Sequence, residues 1–154
     1  MVLMKRLLFI LTALMLITAT GCKKDEKPID CKATLPGEWH CTPEGLDADI
    51  YADFEENGSF DLYQKLGEGR YRHYTGTWEC KGNTLSGKYS DGSDWGSSYT
   101  VVFTDNDNMT FTALNGSEEV MVYTRESVPS EVKEDCIEAK SEGILNSQPQ
   151  YRWL

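Results

Sequence analysis

The sequence predicts an all-β protein: an eight-stranded antiparallel up-and-down barrel followed by a short C-terminal helix. Three observations predict it. From Leu35 to Arg125 apolar and polar residues alternate in short runs, glycine or asparagine breaks the runs, and tight turns alternate with looser ones along the chain. A period of two places successive side chains on opposite faces of a strand. Short strands separated by turn signals roughly every 8–12 residues pair as antiparallel neighbours in a sandwich or barrel.

The first element is an address rather than part of the fold. Lys5 and Arg6 precede an apolar run from Leu7 to Ile17, and Thr18-Ala19-Thr20-Gly21 leads directly to Cys22. The run is shorter than the roughly 20 apolar residues a membrane-spanning helix needs, so residues 1–21 read as a cleaved secretion signal. Residues 22–34 read as a tether, 35–125 as the barrel, and 126–154 as a helix and tail.

The alternation predicts strands over 36–42, 49–56, 59–66, 70–80, 83–90, 97–104, 108–114 and 118–125. One face of each is apolar: Trp39 and Cys41; Ile50, Ala52 and Phe54; Phe60, Leu62 and Leu66; Tyr74, Trp78 and Cys80. It continues with Leu85 and Tyr89; Tyr99, Val101 and Phe103; Met109 and Phe111; Met121 and Tyr123. Glu56-Asn57-Gly58, Lys81-Gly82-Asn83 and Asp105-Asn106-Asp107-Asn108 supply residues that tolerate the positive φ of tight hairpins. The connections between these are longer or richer in glycine, so up-and-down order gathers the tight turns at a pinched base and the loose loops at an open mouth. Beyond the strands, Pro129-Ser130 can start a helix, Val132, Cys136 and Ala139 recur at helical spacing, and Gly143 can stop it. The last dozen residues, with Tyr151, Trp153 and Leu154, follow neither pattern and read as an ordered strap or as a segment that docks on a partner.

Charge and cysteine count narrow the function class. Losing Lys5 and Arg6 with the signal takes the formal charge from -10 to -12. Nucleic acid, which demands basic stripes, is excluded as an expected partner, and an acidic surface leaves a lipid rather than protein charge to hold the molecule at a membrane. If Cys22 carries lipid, Cys31, Cys41, Cys80 and Cys136 remain, an even number suited to two disulfides in an exported protein. Four cysteines allow three pairings. A structural zinc site is the weaker reading because no close cysteine pair exists.

Several segments together resemble a known family. Leu35-Pro36-Gly37-Glu38-Trp39, Phe54-Glu55-Glu56-Asn57-Gly58-Ser59-Phe60, Gly76-Thr77-Trp78-Glu79-Cys80 with Gly82-Asn83-Thr84-Leu85, and Tyr123-Thr124-Arg125 resemble the lipocalin-like lipoprotein domains of Bacteroidetes. The stretch before Cys22 resembles a lipoprotein signal, which implies acylation of Cys22, and Lys23-Lys24-Asp25-Glu26 resembles a tetrad that routes such lipoproteins to the outer face of the outer membrane. The expected location is the cell envelope, anchored in the outer membrane and facing the periplasm or the surface. In lipocalins a Gly-x-Trp of the first strand sits at the closed base with an arginine of the last strand over the indole, which implies structural roles for Gly37, Trp39 and Arg125. Trp78-Glu79-Cys80 echoes Trp39-His40-Cys41, with both read as nearing the base; the expected pairs are then Cys41 with Cys80 and Cys31 with Cys136.

For a site, the sequence offers the mouth. Trp95 stands among flexible residues, Gln64 and Arg72 are polar on inward parity, and Tyr74 and Tyr99 lie deeper. A small, partly apolar molecule would suit this mixture; the other reading is a filled barrel acting as an interaction or structural module, such as an accessory subunit or inhibitor. No enzymatic activity, cofactor or metal is expected: His40 and His73 point outward, no nucleophile or phosphate-loop motif occurs, and Asp105 to Asn108 lacks the glycine and glutamate of a calcium loop.

Overall fold

The computed structural model describes residues 29–117, 119–139 and 152–154. The signal segment, Cys22 and the lysine-acid tetrad lie outside these. Eight strands, β1 (Gly37–Cys41), β2 (Ala48–Phe54), β3 (Ser59–Leu66), β4 (Arg72–Lys81), β5 (Thr84–Tyr89), β6 (Tyr99–Phe103), β7 (Asn108–Ala113) and β8 (Val120–Arg125), form the wall. Each pairs antiparallel with its sequence neighbour. Pairing of β1 with β8, through Trp39 opposite Arg125, closes the cylinder. This is a closed up-and-down barrel, consistent with a calycin-like fold.

Alternation explains the core. Trp39, Phe54, Phe60, Phe111 and Tyr123 are among the fully buried side chains inside the barrel, and their rings meet in offset and edge-to-face contacts, such as Phe54 against Trp78 at 5.9 Å and 83°. Leu66, expected inside, is 43 % exposed: it ends β3 at the rim, beyond the packed layers. Cys80 and Phe103 only flank the core.

Two short helices frame the barrel. In α1 (Cys31–Thr34), the Asp30 side chain accepts a hydrogen bond from Lys32 N at 3.0 Å and starts the turn. It is followed at the base by the buried Leu35, whose carbonyl accepts the Trp39 indole N–H at 2.8 Å. Arg125 lies over the Trp39 ring, 4.1 Å from its centroid, and donates to the carbonyls of Thr34 at 3.0 Å, Pro36 at 3.1 Å and Asn106 at 3.0 Å. Gly37 has φ +126°, and a Cβ there would stand 2.3 Å from the Arg125 guanidinium.

The second helix, α2 (Ser130–Glu134), and a short strand β9 (Ile137–Glu138) make a strap on the outer wall. Val128 and Val132 pack on Tyr51 and Tyr63. Past Gly76 opposite Tyr89, β5 leaves β4, and β9 takes the vacated edge in parallel, Arg72 beside Ile137 and His73 beside Glu138. Ion pairs tie the strap down, Lys133 to Glu38 at 2.7 Å and Arg70 to Asp135 at 2.8 Å.

The disulfide corrects the expected pairing. Cys31 joins Cys80, with Cα atoms 6.2 Å apart, while Cys41 and Cys136 are free thiols. Strand direction is the reason: β1 and β4 run opposite ways, so Cys41 finishes at the mouth and Cys80 near the base, beside α1. Cys136 follows α2 onto the outer wall, away from Cys31. Burial pushes the Cys41 thiol up to about 12, leaving it inert.

Candidate functional site at the barrel mouth

The mouth is where β3, β4, β5 and β6 present Gln64, Tyr74, Tyr89 and Tyr99 on inward parity, all buried. The chain between β5 and β6 does not stand open. An isolated bridge between Lys88 and Asp94 folds it back, Trp95 N donates to Gly87 O at 3.1 Å, and the indole turns inward against Phe60 at 5.2 Å. Gly87 makes room for it: a Cβ there would lie 2.4 Å from the Trp95 ring. Trp95, at 6 % exposure, is thus part of the core's upper layer.

The rest of the space is taken by Arg152-Trp153-Leu154. Trp153 and Leu154 are 3 % and 1 % exposed. Trp153 N donates to Gln64 Oε1 at 2.8 Å, the Tyr89 hydroxyl donates to Leu154 O at 2.8 Å, and Gly96 N donates to the same oxygen at 3.1 Å. The Tyr99 hydroxyl reaches Trp153 O at 3.5 Å. Gln64, a buried polar residue, is thus bonded by main chain from the far end of the sequence. Arg152 spreads over Tyr89 at 4.6 Å and Tyr74 at 5.6 Å and bonds to Asp91 at 2.5 Å and Ser93 Oγ at 2.6 Å. Its guanidinium, with help from Ser93, holds the Asp91 carboxyl well below the usual carboxylate range.

No family model matches the sequence, and no curated protein matches it. The geometry alone therefore carries the reading of the mouth.

Of the five residues expected there, Gln64, Tyr74, Trp95 and Tyr99 converge around the mouth, and Arg72 remains exposed. The cation over the tyrosines is Arg152 instead. Beside it lies a half-open cleft of about 430 Å³ lined by Tyr74, Tyr89, Asp91, Ala139 and Arg152. Burial raises the Tyr74 and Tyr89 hydroxyls, so both are neutral donors at physiological pH. Tyr89 spends its proton on Leu154, whereas the buried Tyr74 hydroxyl and the Trp95 indole N–H have no hydrogen-bond partner among the described residues. The sequence signal for Arg152, Trp153 and Leu154 was their apolar pair outside any period, which says that burial is wanted but not where.

Proposed function

We propose that this protein is a membrane-anchored, lipocalin-like binding barrel of the cell envelope, non-enzymatic, that holds a small, partly apolar ligand at its mouth. The observation that carries the reading is the cleft of about 430 Å³ against Tyr74, whose buried hydroxyl has no partner among the described residues. That volume falls in the range of small-molecule sites, and an unmet buried donor among aromatic walls is what fixes the orientation of such a ligand. The docked tail forms one wall and limits the ligand to the rim. The anchor rests on the residues around Cys22, in the manner of the lipoproteins that the sequence resembles. No helix among the described residues is long and apolar enough to cross a membrane. With the tether entering at the base, the mouth faces away from the bilayer.

Native mass spectrometry of protein purified from its own host tests the ligand. A co-purifying small molecule that is lost in Tyr74→Phe, with the melting temperature kept, supports the site. Incorporation of a tagged fatty acid that disappears in Cys22→Ser supports the anchor.

A second reading is favoured by a different observation: Trp153 and Leu154 complete the core, and Val102, Val120 and Val122 stand 55, 58 and 60 % exposed on the outer wall. These suit a filled barrel that binds a protein through its exterior. A co-purifying protein and no small molecule would select it.

A further inference from the structure

Away from the mouth, the strap brings three chemically distinct metal-ligand types to one point on the barrel wall. His73, Cys136 and Glu138 each offer a donor atom, and these atoms all lie within 4.8 Å of one another. The parallel register of β9 on β4 sets His73 beside Glu138, and the Arg70 pair with Asp135 fixes the residue before Cys136. Cys136 is a free thiol, half-buried, its Sγ donating to Lys133 O at 3.3 Å.

We propose that His73, Cys136 and Glu138 form a zinc-type site for a divalent transition-metal ion, with one coordination position open to solvent. The imidazole is prepared for it. Its ring stacks on Tyr63, centroids 4.5 Å apart and planes within 7°, and Asp61 Oδ1 lies 2.6 Å from Nε2. A carboxylate at Nε2 holds a proton there, so Nδ1 is the nitrogen that can exchange its proton for a metal ion, the arrangement in which ligating histidines are oriented by an outer carboxylate. Nδ1 then faces Glu138 Oε1 at 2.8 Å. In the metal-free protein that contact is a hydrogen bond with a proton between the two atoms, and a metal ion would take the proton's place.

The donor set selects the ion. Thiolate, imidazole and carboxylate together suit zinc and its cobalt surrogate, whereas calcium and magnesium prefer oxygen alone. Bond lengths of roughly 2.0–2.3 Å put tetrahedral ligand atoms about 3.3–3.6 Å apart. His73 and Glu138 must part by about half an ångström and the widest of the three separations, at most 4.8 Å, must close by about one, both within reach of side-chain rotamer adjustments. The ion would reinforce the backbone bonds that already join β9 to β4, Ile137 N to Tyr71 O at 2.8 Å and Ala139 N to His73 O at 2.9 Å.

The test is a Co²⁺ titration of the full chain with the Cys31–Cys80 disulfide intact. Visible d–d bands of tetrahedral intensity and a thiolate-to-cobalt charge-transfer band in the near ultraviolet are expected at one equivalent, both bleached by Zn²⁺. Cys136→Ser should abolish the charge-transfer band while keeping the apo melting temperature, and Asp61→Asn should weaken binding by roughly 10–100-fold. Cys41→Ala should change neither, because that thiol is buried at the mouth. Absence of the charge-transfer band, its persistence in Cys136→Ser, or its loss in Cys41→Ala overturns the proposal.

Discussion

Replacing Arg125 with alanine probes the closed end of the barrel. The guanidinium covers the Trp39 ring at 4.1 Å and donates to three carbonyls, those of Thr34, Pro36 and Asn106. A cation over a mostly desolvated indole contributes about 0.5–2 kcal/mol. A hydrogen bond from a charged donor contributes about 1.5–3 kcal/mol, and here the three share one side chain, so they do not add. The side chain is 32 % exposed, which lets water replace part of what is lost. Together these give a loss of about 3–4 kcal/mol, a substantial share of the 5–15 kcal/mol that holds a typical domain. Urea denaturation should show a lower midpoint at unchanged slope, with a fall in melting temperature of about 10 °C. Arg125→Lys, which keeps a cation but loses the fork, should recover about half. A loss below about 1 kcal/mol for alanine would refute the assignment of Arg125 as the structural clamp of the base.

Other outcomes follow from the same structure. Cys31→Ser frees a loop of sequence separation 49 in the unfolded chain and should cost about 4 kcal/mol by loop entropy, read from the denaturation midpoint without reductant. Gly87→Ala sets a methyl against the Trp95 ring and Thr77 O, at 2.4 and 2.6 Å, and should destabilise by about 1–3 kcal/mol while changing tryptophan fluorescence. Because Asp91 is held below its ordinary value when Arg152 is docked, the contribution of this ion pair to tail docking is fully present above the free carboxylate pKa near 3.9 and is lost as pH falls through the lowered one. Acid should therefore weaken docking and raise the accessibility of Trp153 to quencher, and Asp91→Asn should flatten that acid dependence. An unchanged dependence in Asp91→Asn would remove the ion pair as its cause.

Much of the barrel was legible locally. Alternation at Ile50, Ala52 and Phe54, or at Met109 and Phe111, is written in neighbouring residues, and all five are buried as their parity requires. Glycine and asparagine turns placed the strand ends within a few residues, as at Gly58 between β2 and β3. Gln64 was also readable as a polar residue on an apolar face, needing a partner. Which partner was not, because Trp153 N lies 89 residues away and no local period connects the two. The cysteines failed for a related reason: parity says which face Cys41 and Cys80 share, but strand direction decides that they stand at opposite ends.

By itself, then, the sequence determined the strand pattern, the closed all-β class, the turn positions and the mixture of aromatic and polar groups at the mouth, since each depends on interactions between residues close along the chain. Only the tertiary structure decided that Arg152-Trp153-Leu154 fills that mouth, that Cys31 meets Cys80, and that β9 carries Cys136 and Glu138 to His73. Those contacts join segments 49 to 89 residues apart, where only closure of the barrel sets the distance.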